Sequence, residues 1–227
     1  MKNLMNQSQP KVGKKSVDVY NSVLYESDIK QSMRLELLKS VDDKKIKKFF
    51  TLGGKDLVDI RLFRQSFNAL QIISIERDEF IWKEQIKKSE SLPYFLPLNY
   101  EFSDFVNQLN HYPLFDLMYL DFNCIWSLKI ENDLSKLLEN VKKDCVIGLT
   151  IVAAHDGIEQ LKDTYLFNNV CVKKYDHYKE NRIKYIAQTV IKLGEISGKD
   201  ISLKFSDKYK NSKDSMDIMF FIFKINN

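Results

Sequence analysis

The chain has 227 residues, of which 44% are hydrophobic and 29% are charged. This ordinary globular composition excludes disorder over the whole length, and the low content of glycine and proline excludes a collagen-like or low-complexity chain. The formal net charge is +4, but residues 1–50 and 170–227 are basic, whereas residues 51–169 are acidic. Basic segments suit an anionic partner such as nucleic acid, although a solvated lysine-rich surface explains the pattern equally well.

Neither the N-terminus nor the cysteines indicate an extracellular or membrane protein. The first fifteen residues contain no apolar run of a secretory signal, and the longest uncharged apolar run, 145–154, is too short to cross a bilayer. The three cysteines form no CxxC pair, and the three histidines have no metal-binding spacing. We therefore expect a cytoplasmic protein without a structural metal and without a membrane partner.

Helical and extended patterns alternate along most of the chain. Segments with apolar residues at helical spacing separate short apolar runs that are rich in β-branched and aromatic residues. The predicted helices are 17–41, 56–67, 78–88, 102–109, 130–141 and 178–193. The predicted strands are 46–52, 70–75, 95–99, 115–120, 145–152, 201–205 and 216–225.

This alternation is typical of a parallel sheet that is covered by helices. The last two predicted strands are joined by a short polar segment, which cannot form a parallel crossover, so they are expected to form an antiparallel hairpin. The sequence thus predicts an α/β fold: a doubly wound, seven-stranded, mostly parallel sheet with a C-terminal antiparallel hairpin and helices on both faces. We expect residues 1–44 to be a flexible arm and a helix that caps the domain or holds a substrate, and residues 45–227 to be the domain itself.

Polar residues that directly follow strands are candidates for a binding site, because ligands of open α/β sheets bind at the carboxyl ends of the strands. Gly53 and Gly54 follow the first strand; glycine tolerates positive φ and lets a ligand approach the backbone, although a tight turn has the same pattern. Glu76 follows the second strand, 23 residues after Gly53. Its carboxylate is spaced to accept hydrogen bonds from ribose hydroxyls, although a surface carboxylate is the alternative. Together these residues predict a nucleoside site.

Asp121 follows the buried strand 115–120, at the mouth of the same expected site. A buried carboxylate without a partner is costly, so Asp121 is expected to face a cleft or a donor. Phe122, Asn123 and Trp126 come next in the chain. Their aromatic rings would either stack on a substrate or pack beneath the following helix, and the sequence leaves both alternatives open.

Four stretches together resemble those of class I, S-adenosylmethionine-dependent methyltransferases. They are FFTLGGKDLVDI, LQIISIERD, FDLMYLDFN and MDIMFFIFKI. The similarity covers roughly residues 45–225 and rests on the order and spacing of the stretches. The resemblance implies a Rossmann-like methyltransferase domain over 45–227, with S-adenosylmethionine as its cofactor.

The resemblance also implies roles for individual residues. Gly53 and Gly54 would line the methionine end of the cofactor, and Asn99 or Tyr100 would lie near the adenine. Asp121 would face the methionine and the substrate, where it is a candidate to accept a proton from the methylated group. The candidate cofactor contacts are Gly53, Gly54, Asp56, Glu76, Asn99, Tyr100 and Asp121. The candidate substrate contacts are Phe122, Asn123, Trp126, Lys208 and Lys210.

The favoured substrate is nucleic acid, RNA in particular, because lysines are concentrated near both ends of the chain. They are Lys44, Lys45, Lys47, Lys48, Lys173, Lys174, Lys208, Lys210 and Lys213. Such lysines contact phosphates, and Tyr209 among them is a candidate to stack on a base, although each lysine is also explained as a solvated surface residue.

Two other functions stay open at this point. The loop after the first strand lacks the leading acid and the second spaced glycine of the family's acid–x–Gly–x–Gly pattern. A catalytically silent nucleic-acid-binding or regulatory subunit, in a homo- or hetero-oligomer, is therefore the alternative. A nicotinamide-dependent oxidoreductase is a third class, which the missing G-x-G-x-x-G motif and the terminal hairpin disfavour.

Overall fold

The computed structural model describes residues 28–42, 45–67, 71–112, 114–153, 158–170, 175–210 and 216–226. Its helices are α1 (Asp28–Lys39), α2 (Val58–Ser66), α3 (Glu79–Ser89), α4 (Phe102–Asn107), α5 (Leu128–Asn140), α6 (Ile158–Leu161) and α7 (Tyr175–Ile196), with a 3₁₀ turn (Leu109–His111) and a π-helical turn (Leu166–Val170). Its strands are β1 (Lys48–Leu52), β2 (Gln71–Ile75), β3 (Phe95–Leu98), β4 (Leu117–Asp121), β5 (Val146–Ala153), β6 (Ile201–Lys210) and β7 (Asp217–Ile225). Within these ranges, no helix has both the length and the apolar character that crossing a membrane requires.

The seven described strands form one sheet in the order β3-β2-β1-β4-β5-β7-β6. Strands β1 to β5 are parallel, β7 runs antiparallel to β5, and β6 runs antiparallel to β7. The predicted fold class is therefore confirmed, including the terminal hairpin. The strand order reverses between β1 and β4, so the crevice in which such sheets bind ligands lies at the carboxyl ends of these two strands.

Successive side chains of the central strands enter two different cores. Phe49 of β1 and Tyr119 of β4 lie in the first core, which α1 and α2 cover. Phe50 of β1 and Met118 of β4 lie in the second core, which α4, α5 and α7 cover. Because both faces are buried, these strands are continuous apolar runs rather than alternating ones.

Strand β6 is longer than predicted and extends to Lys210 rather than ending at residue 205. Its charged second half pairs with β7 in register from Ser206 to Lys210. The charges are compatible with a strand because β6 is the edge of the sheet, where lysines also discourage pairing with another chain. Lys208 and Lys210 consequently lie on the strand and not in the hairpin loop.

Tyr209 is buried between these two lysines, with 7% of its surface exposed, and packs in the first core. Alternation along β6 directs its ring inward while the neighbouring lysines point outward. The prediction that Tyr209 stacks on a base is therefore wrong.

Helix α1 packs against the domain through a face that combines apolar and charged residues. Its buried positions are Lys30, Met33, Arg34 and Leu37. This spacing of three and four residues places them on one side of the helix. Leu35, an apolar residue within the predicted helix, is exposed on another side. Residues 1–27, with the predicted flexible arm and the start of the predicted helix 17–41, lie outside the described residues.

Candidate functional site

A cavity of about 360 Å³ opens at the carboxyl ends of β1, β2 and β4. Gly53 follows β1, Glu76 follows β2, and Asp121 is the last residue of β4. The volume is in the range of small-molecule sites. The predicted residues that line this cavity are Gly53, Gly54, Asp56, Glu76, Tyr100, Asp121, Phe122 and Asn123. The structure thus brings together residues that are up to seventy positions apart in the chain.

Asn99 and Trp126 do not line the cavity. The Asn99 side chain donates from Nδ2 to the carbonyl oxygen of Glu76 at 2.8 Å, so it braces the end of β2. Trp126 is fully buried, and its Nε1 donates to the carboxylate of Glu131 at 2.8 Å. Trp126 therefore packs beneath the next helix, which was the second of the two alternatives. The prediction that it contacts a substrate is wrong.

Lys208 and Lys210 do not line this cavity, although they lie near the same carboxyl ends of the parallel strands. Lys210 is in register with Asp217, and Asp217 with Ala153, which ends β5. The ammonium groups of Lys208 and Lys210 lie 2.9 and 3.6 Å from the Asp217 carboxylate. The two lysines therefore border the carboxyl rim of the sheet, on the edge beyond β5.

The lysines before β1 lie at the opposite rim. Lys48 begins β1 and is in register with Gln71, which begins β2, so Lys45, Lys47 and Lys48 are at the amino ends of the parallel strands. These lysines therefore do not share one surface with Lys208 and Lys210, and their contact with phosphates stays a prediction. Lys44, Lys173, Lys174 and Lys213 lie outside the described residues.

Gly53 and Gly54 differ in the space that a side chain would find at each position. A Cβ on Gly53 would lie 2.4 Å from Nε2 of Gln85, whereas a Cβ on Gly54 would meet nothing within 4 Å. Gln85 is fully buried; its side chain accepts from the Ser74 hydroxyl at 3.1 Å and donates to the Gly54 carbonyl at 3.2 Å. Close packing therefore requires glycine at residue 53, while Gly54 leaves open space beside the cavity.

The left-handed backbone position of this loop is not at a glycine. Leu57, directly before α2, has φ 54° and ψ 31°, and neither Gly53 nor Gly54 has a positive φ. The sequence argument from the tolerance of glycine for positive φ is therefore wrong here. A left-handed leucine is strained, and such strain is concentrated at functional sites.

We expect Gly53→Ala to destabilise the fold and Gly54→Ala to leave it intact. The added methyl group at residue 53 displaces a buried, doubly hydrogen-bonded Gln85, which costs on the order of 1–3 kcal/mol. The methyl group at residue 54 enters open space, so the change in unfolding free energy stays within about 0.5 kcal/mol. Urea unfolding of the two variants measures the difference, and equal losses would contradict this role of Gln85.

Glu76 is a buried carboxylate that forms no salt bridge within the described residues, although the neighbouring Arg77 acts to lower its pKa. It is 6% exposed, and its Oε1 accepts from the backbone N–H of Asp78 at 2.9 Å. Burial raises the pKa of Glu76 to about 7. Asp78 itself caps α3 by accepting from the N–H groups of Phe80 and Ile81. Glu76 thus presents an acceptor to the cavity from a rigid turn between β2 and α3.

Asp121 is engaged by side chains from both sides. The Lys30 ammonium lies 2.6 Å from its Oδ2, and the Thr150 hydroxyl donates to its Oδ1. Burial by itself would raise the pKa of Asp121, but Lys30 and Thr150 outweigh it and lower the pKa. A carboxylate with a lowered pKa is a weak proton acceptor. The geometry therefore favours a binding role for Asp121 over the predicted role as a base.

Arg34 and Asp59 are charged lining residues that the sequence analysis missed. They come from α1 and α2 and form a buried ion pair at the edge of the cavity. Burial raises the pKa of Asp59, although Arg34 acts in the opposite direction. Helical spacing could have predicted their burial for α1, because Lys30 and Arg34 lie on the same helix face as Met33 and Leu37.

Aromatic rings form an apolar wall at another part of the cavity. Phe102 and Phe122 meet edge to face, with ring centroids 5.1 Å apart, and both line the cavity. Asp133 lines the same region and accepts from the Ser103 hydroxyl at 2.7 Å. The cavity thus has an apolar wall for a flat ring, a carboxylate at the end of β2, and a group of charges where α1 and α2 approach β4.

Comparison with known proteins relates the chain to methyltransferases through its structure. No protein-family model matches the sequence, and neither does any curated protein. The N-methyltransferase NodS from Bradyrhizobium japonicum, solved with S-adenosyl-L-homocysteine, is similar with a TM-score of 0.57 at 8% identity, over 90% of this chain and 91% of that chain. TYW2 from Pyrococcus horikoshii, in complex with MeSAdo, has a TM-score of 0.52 at 10% identity, over 86% and 62%.

A putative sarcosine dimethylglycine methyltransferase from Galdieria sulphuraria is similar to the same extent. Its TM-score is 0.56 at 9% identity, over 86% of this chain and 84% of that chain. At such low identities these similarities show the fold, which is that of class I methyltransferases.

Proposed function

We propose that the protein transfers a methyl group from S-adenosylmethionine. A fold of this type hosts more than one chemistry, so the proposal depends on the site rather than on the fold alone. The observation that carries it is the meeting of Gly54, Glu76 and Asp121 around one cavity, at the carboxyl ends of neighbouring parallel strands.

The residues of the cavity fit each part of this cofactor. The Glu76 carboxylate is available to ribose hydroxyls, the wall of Phe102 and Phe122 suits the adenine, and the open space at Gly54 admits a ligand close to the backbone. The described lining contains six carboxylates and four cationic side chains, so it suits a ligand that carries a sulfonium cation. They are Asp56, Asp59, Glu76, Glu101, Asp121 and Asp133, with Arg34, Lys55, Arg77 and Lys129.

The chemistry demands little of the protein beyond alignment. S-adenosylmethionine supplies a methyl group that is already electrophilic, and positioning of the acceptor provides most of the acceleration. In this site Glu76 and the glycine loop would hold the cofactor, and Asp121, fixed by Lys30, would orient its amino-acid end. Phe122 and Asn123 follow Asp121 in the lining of the cavity and are candidates to contact the methyl acceptor.

Calorimetry with S-adenosylmethionine and S-adenosylhomocysteine tests this proposal. We expect both ligands to bind with dissociation constants between about 1 μM and 1 mM, the usual range for enzyme substrates. NADH serves as the control and is expected not to bind. Failure of both adenosyl ligands to bind at about 1 mM would contradict the proposal and leave the catalytically silent subunit as the better explanation.

We further propose that nucleic acid, with RNA favoured, is the methyl acceptor. A second cavity of about 490 Å³ lies between α7 and the β6–β7 hairpin, and it reaches the carboxyl rim of the sheet at Ala153. The helix is interrupted there at Asn181. The charged residues of its lining are Lys179, Arg182, Lys184 and Lys208, with Glu180 and Asp217. This excess of cations supports contact with phosphates on the same rim as the cofactor cavity.

Replacing Lys184 and Lys208 together by glutamine is expected to weaken RNA binding severalfold. Each lost phosphate contact reduces the slope of log affinity against log salt by roughly 0.7 for a single strand. Fluorescence anisotropy with a labelled single-stranded RNA over a range of NaCl concentrations measures both quantities. The matched control is Lys45→Gln with Lys47→Gln at the opposite rim, which should retain the parent's affinity and slope. Salt-independent binding by the parent, or an equal loss in the control, would remove nucleic acid as the acceptor.

A further inference from the structure

Arg34 is a buried cation at the edge of the cofactor cavity. The residue is 1% exposed, and it lies on α1, outside the strand ends that supply the other predicted cofactor contacts. Its guanidinium pairs with Asp59 of α2 through Nε, so the side chain is fixed from one side. The residue also lines the cavity, so a ligand bound there can reach it.

The two terminal nitrogens of Arg34 have no acceptor among the described residues. Nε is buried and is the nitrogen that pairs with Asp59, and the residue lines the cavity. A guanidinium is always charged, and its planar pair of terminal N–H groups matches the two oxygens of a carboxylate. A buried cation with this free edge is therefore suited to a bidentate anion.

The neighbouring charges decide which anion fits. Asp59 pairs with Arg34, and Asp121 lies close enough to interact with it electrostatically. Asp59 and Asp121 already balance the charges of Arg34 and Lys30, so a phosphate dianion would add uncompensated negative charge, whereas an ammonium group next to a carboxylate adds no net charge. An amino acid carries a carboxylate and an ammonium group on the same carbon, so it can pair with Arg34 and with the carboxylates of Asp59 and Asp121 at once.

We infer that Arg34 binds the carboxylate of the amino-acid portion of the cofactor, while Asp59 and Asp121 face its ammonium group. This inference rests on the proposed function and assigns α1 a direct part in cofactor recognition. It also explains why a helix that precedes the domain in sequence has two buried cations on its inner face. Lys30 fixes Asp121, and Arg34 contacts the ligand itself.

The test compares S-adenosylmethionine with its decarboxylated form, which differs only in the carboxylate. The parent protein is expected to bind S-adenosylmethionine on the order of 10- to 100-fold more tightly, as expected for a charge-assisted pair. In Arg34→Gln this preference should fall to roughly twofold or less, with little change in the affinity for the decarboxylated ligand. A purely structural role of Arg34 would weaken both ligands equally and leave the preference unchanged.

Two further variants make the result independent of folding. Arg34→Gln leaves Asp59 without its partner, so Arg34→Gln combined with Asp59→Asn removes both charges and should show the same loss of preference. Lys39→Gln, on the exposed face of α1, is the matched control and should retain the preference of the parent. A preference that survives in both Arg34 variants overturns the inference alone, whereas a parent that binds neither ligand overturns the proposed function and this inference with it.

Discussion

Replacing Glu76 by glutamine is expected to weaken cofactor binding by about tenfold or more, because the ribose hydroxyls lose a charged acceptor. The same change should stabilise the ligand-free protein above neutral pH. Among the described residues Glu76 is buried without a salt bridge, and burial raises its pKa to about 7. Loss of affinity together with a gain in stability is the signature of a residue kept for binding and not for folding.

The sign of the stability effect follows from the direction of the pKa shift. A carboxyl group whose pKa is raised by folding stabilises the protein below its unfolded value, and this contribution is lost as the pH rises through about 7. Glutamine avoids that loss, so Glu76→Gln should raise the unfolding free energy at pH 8 by on the order of 2–3 kcal/mol. The gain should shrink toward zero as the pH falls to about 4.

Cofactor affinity should depend on pH through the same group. Because the ionised carboxylate accepts the ribose hydroxyls, the affinity of the parent should fall as the pH drops below about 7, by up to roughly tenfold per pH unit. Calorimetry from pH 6 to 8.5 measures this dependence, and urea unfolding measures stability. Glu139→Gln, at an exposed position on α5, is the matched control and should change neither quantity. An affinity of Glu76→Gln equal to that of the parent would show that the ribose lies elsewhere.

Lys30→Met is expected to cause the largest loss of stability, about 3 kcal/mol or more. Lys30 and Asp121 form a buried ion pair, with side chains 3% and 9% exposed, and removal of the ammonium leaves the carboxylate buried without its cation. The pKa of Asp121 is lowered in the folded protein, so the pair stabilises it above the ordinary aspartate pKa. This contribution is lost as the pH falls through the lowered value, and the parent and the variant should therefore converge in acid.

Urea unfolding at pH 7 and at pH values below the ordinary aspartate pKa measures this effect. Lys39→Met, on the same helix but in an exposed pair with Glu36, is the matched control and should cost less than about 1 kcal/mol. Lys30→Met combined with Asp121→Asn removes both charges and should regain a large part of the lost stability. A midpoint for Lys30→Met equal to that of the parent would show that α1 does not hold the end of β4.

The sequence was sufficient to predict the sheet and the position of a cavity at the carboxyl ends of its strands. Strands β4 and β5 are buried on both faces, so they are recognisable as apolar runs, and the residues that follow parallel strands meet at one rim. Gly53, Glu76 and Asp121 were predictable for this reason, because their position depends on the strand order and not on side-chain detail.

Other parts of the site depend on packing that the sequence pattern does not contain. Trp126 lies in the loop after β4, but its indole N–H donates to the buried Glu131 of the next helix and the ring packs in the core. Arg34 reaches the cavity only because α1 docks on the sheet, and the docking of a helix is a tertiary contact between distant segments. The extension of β6 to Lys210 was not predicted, because the charged residues after Phe205 do not form an apolar strand pattern and only an edge strand tolerates them.

A crystal structure of the protein with S-adenosylhomocysteine is the most direct test of the cofactor site. We predict that both ribose hydroxyls lie about 2.6–3.2 Å from the Glu76 carboxylate. We also predict that the homocysteine passes Gly54 toward Asp121. A nucleoside bound outside this cavity, or bound within it with its ribose away from Glu76, would contradict the assignment.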